Sequence, residues 1–139
     1  MKEVGSTTIE RILAGAALIF GGFGVFVVAY FNPAASAFFP ICPFHALTGY
    51  SCPGCGLTRG FHSLFHGDIL SALTYNVMLP VYLVIFLYIG VSFLLIVFRG
   101  RGFNVAKFSP KLVYAFFIAS FVFVVLRNIP LYPFTLFSN

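Results

Sequence analysis

Three long apolar runs divide the chain, and a stretch of a different kind separates the first two. The first run, Ile12 to Phe31, follows Glu10-Arg11 and stops at Asn32-Pro33. The second, Val77 to Phe98, stops at Arg99-Gly100-Arg101 and carries Pro80 in its first turn. A missing backbone N–H is tolerated there. The third, Leu112 to Ile129, stops at Pro130. A hydrocarbon core of ~30 Å needs about 20 helical residues to cross it. Lipid offers the backbone no hydrogen-bond partner, so a spanning run must close its own bonds. The pattern therefore predicts transmembrane helices at about 12–31, 77–98 and 112–129.

Between the first two runs the periodicity changes. Asn32-Pro33, Thr48-Gly49 and Pro53-Gly54 are turn dipeptides. Phe38-Phe39-Pro40-Ile41 is apolar and is expected at the membrane interface. From Gly56 a helical pattern begins, with Leu57, Phe61, Leu64 and Phe65 on one face and Arg59, His62 and His66 on the other. This predicts an amphipathic helix lying in the membrane surface. Gly67 suits a left-handed helix end. Asp68 is placed to cap a further helical stretch, Ile69 to Tyr75, and Asn76 marks a break. The expected fold class is all-α: three spanning helices with an interfacial amphipathic helix between the first and second.

Composition agrees with a lipid solvent. Of 139 residues, 60% are hydrophobic and 8% charged, against about 25% charged in a soluble domain. This length suits a single membrane domain over residues 1–139. The net charge of +5 does not point to nucleic acid. The basic residues end apolar runs and form no patch with interleaved aromatics. They do predict orientation. Lys2, Arg11, Arg99, Arg101, Lys107 and Lys111 fall on one side, Arg59 and Arg127 on the other. The richer side is expected to be cytoplasmic. The N-terminus is then inside, and the 42–68 segment and C-terminus outside, with Tyr30, Tyr50, Tyr75 and Tyr132 near the outer interface. Ala35-Ser36-Ala37 has the form of a cleavage site, but the preceding run exceeds the 7–15 residues of a signal h-region. A retained span is expected.

The first run carries small residues at Ala14, Ala17, Gly21 and Gly24. A stripe of this spacing lets membrane helices approach closely, so it is expected to be a packing face, within the chain or against a second copy.

The chemistry gathers in residues 42–68, which hold all three cysteines and all three histidines. Cys52-Pro53-Gly54-Cys55-Gly56 has the form of a zinc knuckle. Its turn would aim N–H groups at sulfur, and Gly56 permits a positive φ. Cys42-Pro43-Phe44-His45 repeats the spacing, giving C-x2-H-x6-C-x2-C. Cys42, His45, Cys52 and Cys55 are thus candidate ligands of a tetrahedral zinc ion, with His62 or His66 as alternative fourth ligands. A disulfide from Cys42 to Cys52 or Cys55 is a second reading, since thiols outside the membrane tend to oxidise. A Cys52–Cys55 redox pair is a third, though no strand precedes it as in thiol oxidoreductases. A fourth is a plain structural cap with Arg59 snorkelling to headgroups.

The string "CPFHALTGYSCPGCGLTR", followed by His66-Gly67-Asp68 and by Tyr75-Asn76 before a membrane run, resembles a family of small bacterial integral membrane proteins classed as a domain of unknown function. Arg127-Asn128-Ile129-Pro130 is similar to the family's end, while Val77 replaces its usual proline. The resemblance implies fold and bacterial membrane location, and no activity.

Arg59, Asp68 and Arg127 fall at the same boundary and are expected to form a polar cluster, with surplus positive charge toward a lipid phosphate. No catalytic residues are expected. Asp68 is the only acid near the histidines, and Ser63 is adjacent to His62 on a helix, pointing about 100° away. Two functions remain open. One is a non-enzymatic membrane protein whose outer Cys/His segment is a disulfide-stapled or metal-clamped docking surface. The other is a redox or metal-handling protein using Cys42, Cys52 and Cys55 as working thiolates. The expected partners are the lipid bilayer and another membrane protein or a second copy.

Overall fold

Apart from the helix Leu57–Phe65, which starts on a left-handed glycine, each helix starts where a side chain or a proline settles its first turn. A computed structural model describes residues 6–33, 39, 42–103 and 109–129. Lys2, Ala35-Ser36-Ala37, Phe38, Pro40-Ile41, Lys107, Pro130 and Tyr132, invoked above, lie outside them. All regular structure among the described residues is helical: α1 (Thr8–Tyr30), α2 (Pro43–Thr48), α3 (Leu57–Phe65), α4 (Ile69–Tyr75), α5 (Leu79–Arg99) and α6 (Pro110–Arg127).

Helix α1 begins four residues before the apolar run. Thr7 and Glu10 form a capping box: Thr7 N donates to Glu10 Oε2 at 2.8 Å and Glu10 N to Thr7 Oγ1 at 3.3 Å. Such a pair satisfies two otherwise orphaned donors. Helix α5 begins after Asn76, whose Oδ1 accepts from Met78 N at 2.9 Å. Helix α6 starts on Pro110 and stops at Arg127, where Asn128 N turns back onto Val124 O and Val125 O.

Helices α1, α5 and α6 are long and apolar enough to cross a membrane. Phe20, Phe98 and Phe121 are 77%, 78% and 69% exposed. Leaving such side chains in water forgoes about 1.5–3 kcal/mol each, a cost that contact with lipid removes.

The chain divides into two compact units, Met1–Phe26 with Val81–Phe108 and Val27–Pro80 with Ser109–Asn139. In the first, Ser6 N donates to Gly100 O at 2.8 Å and Arg11 Nε to Ile96 O at 3.4 Å. Ala14 is buried, and with Ala17, Phe93 and Ile96 it lines a cavity of about 580 Å³. The small-residue stripe thus packs at its start. Among the described residues, a Cβ added at Gly21 or Gly24 would meet no atom within 4 Å.

The close helix contact that the sequence concealed is in the second unit. A Cβ on Gly60 of α3 would lie 2.6 Å from Leu79 Cδ1 and 3.1 Å from Ala72 O. α3 and α4 are packed through this glycine, and Ala72 is 1% exposed. Ser63 O and Leu64 O accept from Asp68 N and Gly67 N at the reversal between them, where Gly67 has φ 81°. Asp68 caps α4 as expected, accepting from Ser71 N at 3.0 Å.

Gly60→Val should therefore overpack this contact, at about 1–3 kcal/mol. The thermal midpoint in detergent should fall by roughly 3–10 °C, while Gly21→Ala leaves it in place.

Candidate metal centre

The centre is built on the turn from Ser51 to Gly56. Pro53 presets one φ of the turn. Cys55 N donates to Cys52 O and Leu57 N to Gly54 O, each at 3.1 Å. Gly56 adopts φ 78° at the start of α3, as the knuckle pattern requires. A second constraint also selects glycine there: a Cβ would stand 2.6 Å from Tyr75 O.

Two of the turn's carbonyls are satisfied inside it, and three by side chains from far along the chain. Asn76, 1% exposed, donates through Nδ2 to Pro53 O at 2.9 Å and to Cys55 O at 3.2 Å. Arg127, 2% exposed, donates to Cys55 O at 2.7 Å and to Tyr75 O at 3.3 Å. Asn128 pairs with Ser51 in both directions, accepting from its N at 2.8 Å and donating to its O at 3.0 Å. A buried amide or carbonyl without a partner costs about 1–3 kcal/mol. These contacts fix the turn without help from its sulfurs.

The sulfurs converge on this fixed turn. Cys42 immediately precedes α2, and Pro43 in the first turn of that helix replaces the expected second knuckle. Cys42 Sγ lies 3.3 Å from Cys52 Sγ, and Cys52 Sγ 3.0 Å from Cys55 Sγ. All three lie within 4.8 Å of one another and are free thiols. A tetrahedral zinc with Zn–S bonds of about 2.3 Å holds its sulfurs roughly 3.8 Å apart, inside this spread. Cys52 N donates to Cys55 Sγ at 3.2 Å.

The thiols are not equivalent. Hydrogen bonds from the His45 main chain and from Cys52 hold the Cys42 thiol below its ordinary pKa. Burial, followed by the hydrogen bonds to Cys55 and Cys42, pushes Cys52 up to about 12. Proton loss is thus easier at Cys42 than at Cys52. A coordinated cation would remove that difference, because coordinated thiols are deprotonated.

The histidines stand outside this group. His45 Nδ1 faces Tyr50 O at 3.3 Å, His62 Nδ1 faces Val28 O at 2.7 Å, and His66 Nδ1 faces His62 O at 2.9 Å. The three charges expected as one cluster have separate surroundings. Arg59 and Asp68 are exposed. The carboxyl of Asp68 is held below its ordinary value by hydrogen bonds from Ser71. Arg127 is buried against carbonyls, with its guanidinium 5.7 Å from the centre of the Phe123 ring. It also interacts electrostatically with Cys55 and Cys52. In the sequence, Asn76 marks a break and Asn128 stands in a short string before Pro130. The only available signal was that each is an amide beside an apolar run.

The fold and site define an all-helical chain with three helices suited to a membrane and a three-thiol centre on an amide-clasped turn. Residues 42–90 match the model of a family described as a protein of unknown function (DUF2752). The match begins at Cys42 and covers the turn, α2 to α4 and the first half of α5, in line with the resemblance carried by the cysteine segment. No curated protein and no solved structure matches the chain.

Asn76→Ala should strand buried partners at Pro53 and Met78 and cost about 1–3 kcal/mol. Denaturant unfolding in detergent measures the loss. The three thiols should also react faster with a thiol reagent in this variant, because the turn that gathers them is loosened.

Proposed function

We propose that this chain is a non-enzymatic integral membrane protein in which Cys42, Cys52 and Cys55 bind a metal ion, zinc by ligand class, and thereby clamp an outer docking surface. The observation that carries this reading is the convergence of three sulfurs within 4.8 Å. Thiolate sets of this kind suit zinc among the common divalent ions. The clamp has a definite mechanical object. The turn is already held by Asn76, Arg127 and Asn128, whereas α2 is exposed along its length. A metal bridging Cys42 to Cys52 and Cys55 fastens α2 to the turn. It also fixes an apolar face that includes Phe44 and Leu47, the latter 86% exposed. Another membrane protein or a second copy is the partner class that suits such a face beside lipid.

Purified protein should contain about one equivalent of zinc. Cys42→Ser, Cys52→Ser and Cys55→Ser should each lose it while retaining helical content, because the turn's hydrogen bonds remain. Thiol counting after chelation and denaturation should find three reactive groups. One group and no metal would indicate instead a disulfide, the stapled form of the same surface, favoured by the closeness of Cys52 to both other sulfurs.

The charge asymmetry supports an orientation with the cysteine segment and the C-terminus outside a bacterial cell membrane. A membrane-impermeant thiol reagent should label the segment in intact cells after metal removal and reduction, and a C-terminal reporter should be exported. A cytoplasmic reporter would overturn this orientation.

A further inference from the structure

We infer that the metal centre takes only three ligands from this chain and holds its fourth position for a neutral nitrogen donor, the imidazole of a partner's histidine. This rests on the metal-binding reading proposed above.

All three cysteines and all three histidines of the chain are among the described residues, so its thiolate and imidazole donors are accounted for. The three sulfurs form one group, and no histidine joins them. Each histidine has its Nδ1 against a main-chain carbonyl: Tyr50 O for His45, Val28 O for His62 and His62 O for His66. Asp68 accepts from Ser71 N at the start of α4. Zinc and its spectroscopic substitute cobalt complete four positions in such sites. With three protein ligands the fourth is open to water or an incoming group.

Charge selects the incoming group. Three thiolates and a divalent ion sum to one negative charge. The guanidinium of Arg127, 2% exposed, interacts electrostatically with Cys55 and Cys52 and supplies one positive charge. A neutral donor keeps that balance. A fourth thiolate adds a second negative charge that no further buried cation among the described residues near the turn is placed to meet, and an unbalanced charge out of water is costly. Imidazole is a neutral donor well matched to zinc. Access is available, since all three cysteines are only partly buried and Gly54, between two of them, is exposed. The position lies beside the exposed face of α2, so a docking partner could present its ligand while covering that face.

The test uses the full chain in detergent, loaded with cobalt, whose visible d–d bands report ligand type and number. Added imidazole should shift the bands saturably and reversibly, at a lower concentration than 2-mercaptoethanol. His45→Ala, His62→Ala and His66→Ala should each leave the starting spectrum unchanged. A spectrum insensitive to imidazole, or one altered by any of the three histidine substitutions, means a closed site and overturns the inference. Tighter binding of the thiol overturns the charge argument behind it. In all these outcomes bound cobalt upholds the metal reading itself, whereas failure to bind cobalt removes both.

Discussion

Main-chain carbonyls near a membrane surface cannot all rely on water, and the turn from Ser51 to Cys55 presents five of them in five residues. Two are closed locally, by Cys55 N and Leu57 N. Asn76, Arg127 and Asn128 close the rest. A side-chain amide or guanidinium suits this task because it carries several donors in one plane. One Asn76 Nδ2 reaches two carbonyls while its Oδ1 starts α5. One Arg127 reaches the turn and the end of α4. Glycine at 56 lets these groups come close, since a side chain there would collide with Tyr75 O.

Burying a guanidinium has a high desolvation cost, offset here where both Nη groups of Arg127 donate to main-chain carbonyls. Arg127 occupies the last turn of α6, where a cation is favoured by the helix dipole. It then reaches across to Cys55 and Tyr75. The last turn of α6, the α4–α5 junction and the cysteine turn are therefore parts of one polar assembly. The same charge lies near the sulfurs, which links the element that shapes the turn to the chemistry the turn carries.

The spanning segments were legible because hydropathy is a local property and their ends are marked by Arg, Asn or Pro. So were Gly56, Gly67, Asp68 and the α4 boundaries, since caps and left-handed residues act within a few positions. The clasp was not legible. Asn128 meets Ser51 across 77 residues and Arg127 meets Cys55 across 72, and nothing local announces either contact. The carbonyl partners of Arg127 carry no sequence mark, so the sequence offers it only the acidic Asp68 as a partner, and the remote hydrogen bonds that hold the turn are equally invisible there. Gly60 was passed over for a related reason: the glycines of α1 form a recognisable stripe, whereas the glycine at the close contact stands alone.

Separating the support of the turn from its sulfurs changes what a metal can accomplish. Where a metal site is absent from the unfolded chain, binding energy is consumed in folding it, about 10–16 kcal/mol in small zinc domains. Here Cys52 and Cys55 are already positioned by the amide clasp, and only Cys42 with α2 remains to be fixed. Ordering a backbone residue costs about 1–2 kcal/mol, so fastening the six residues of α2 uses at most about 6–12 kcal/mol, a large part of that energy. The remainder is available as affinity. On the metal-binding reading proposed above, such a centre would bind and release its ion with the helical frame intact.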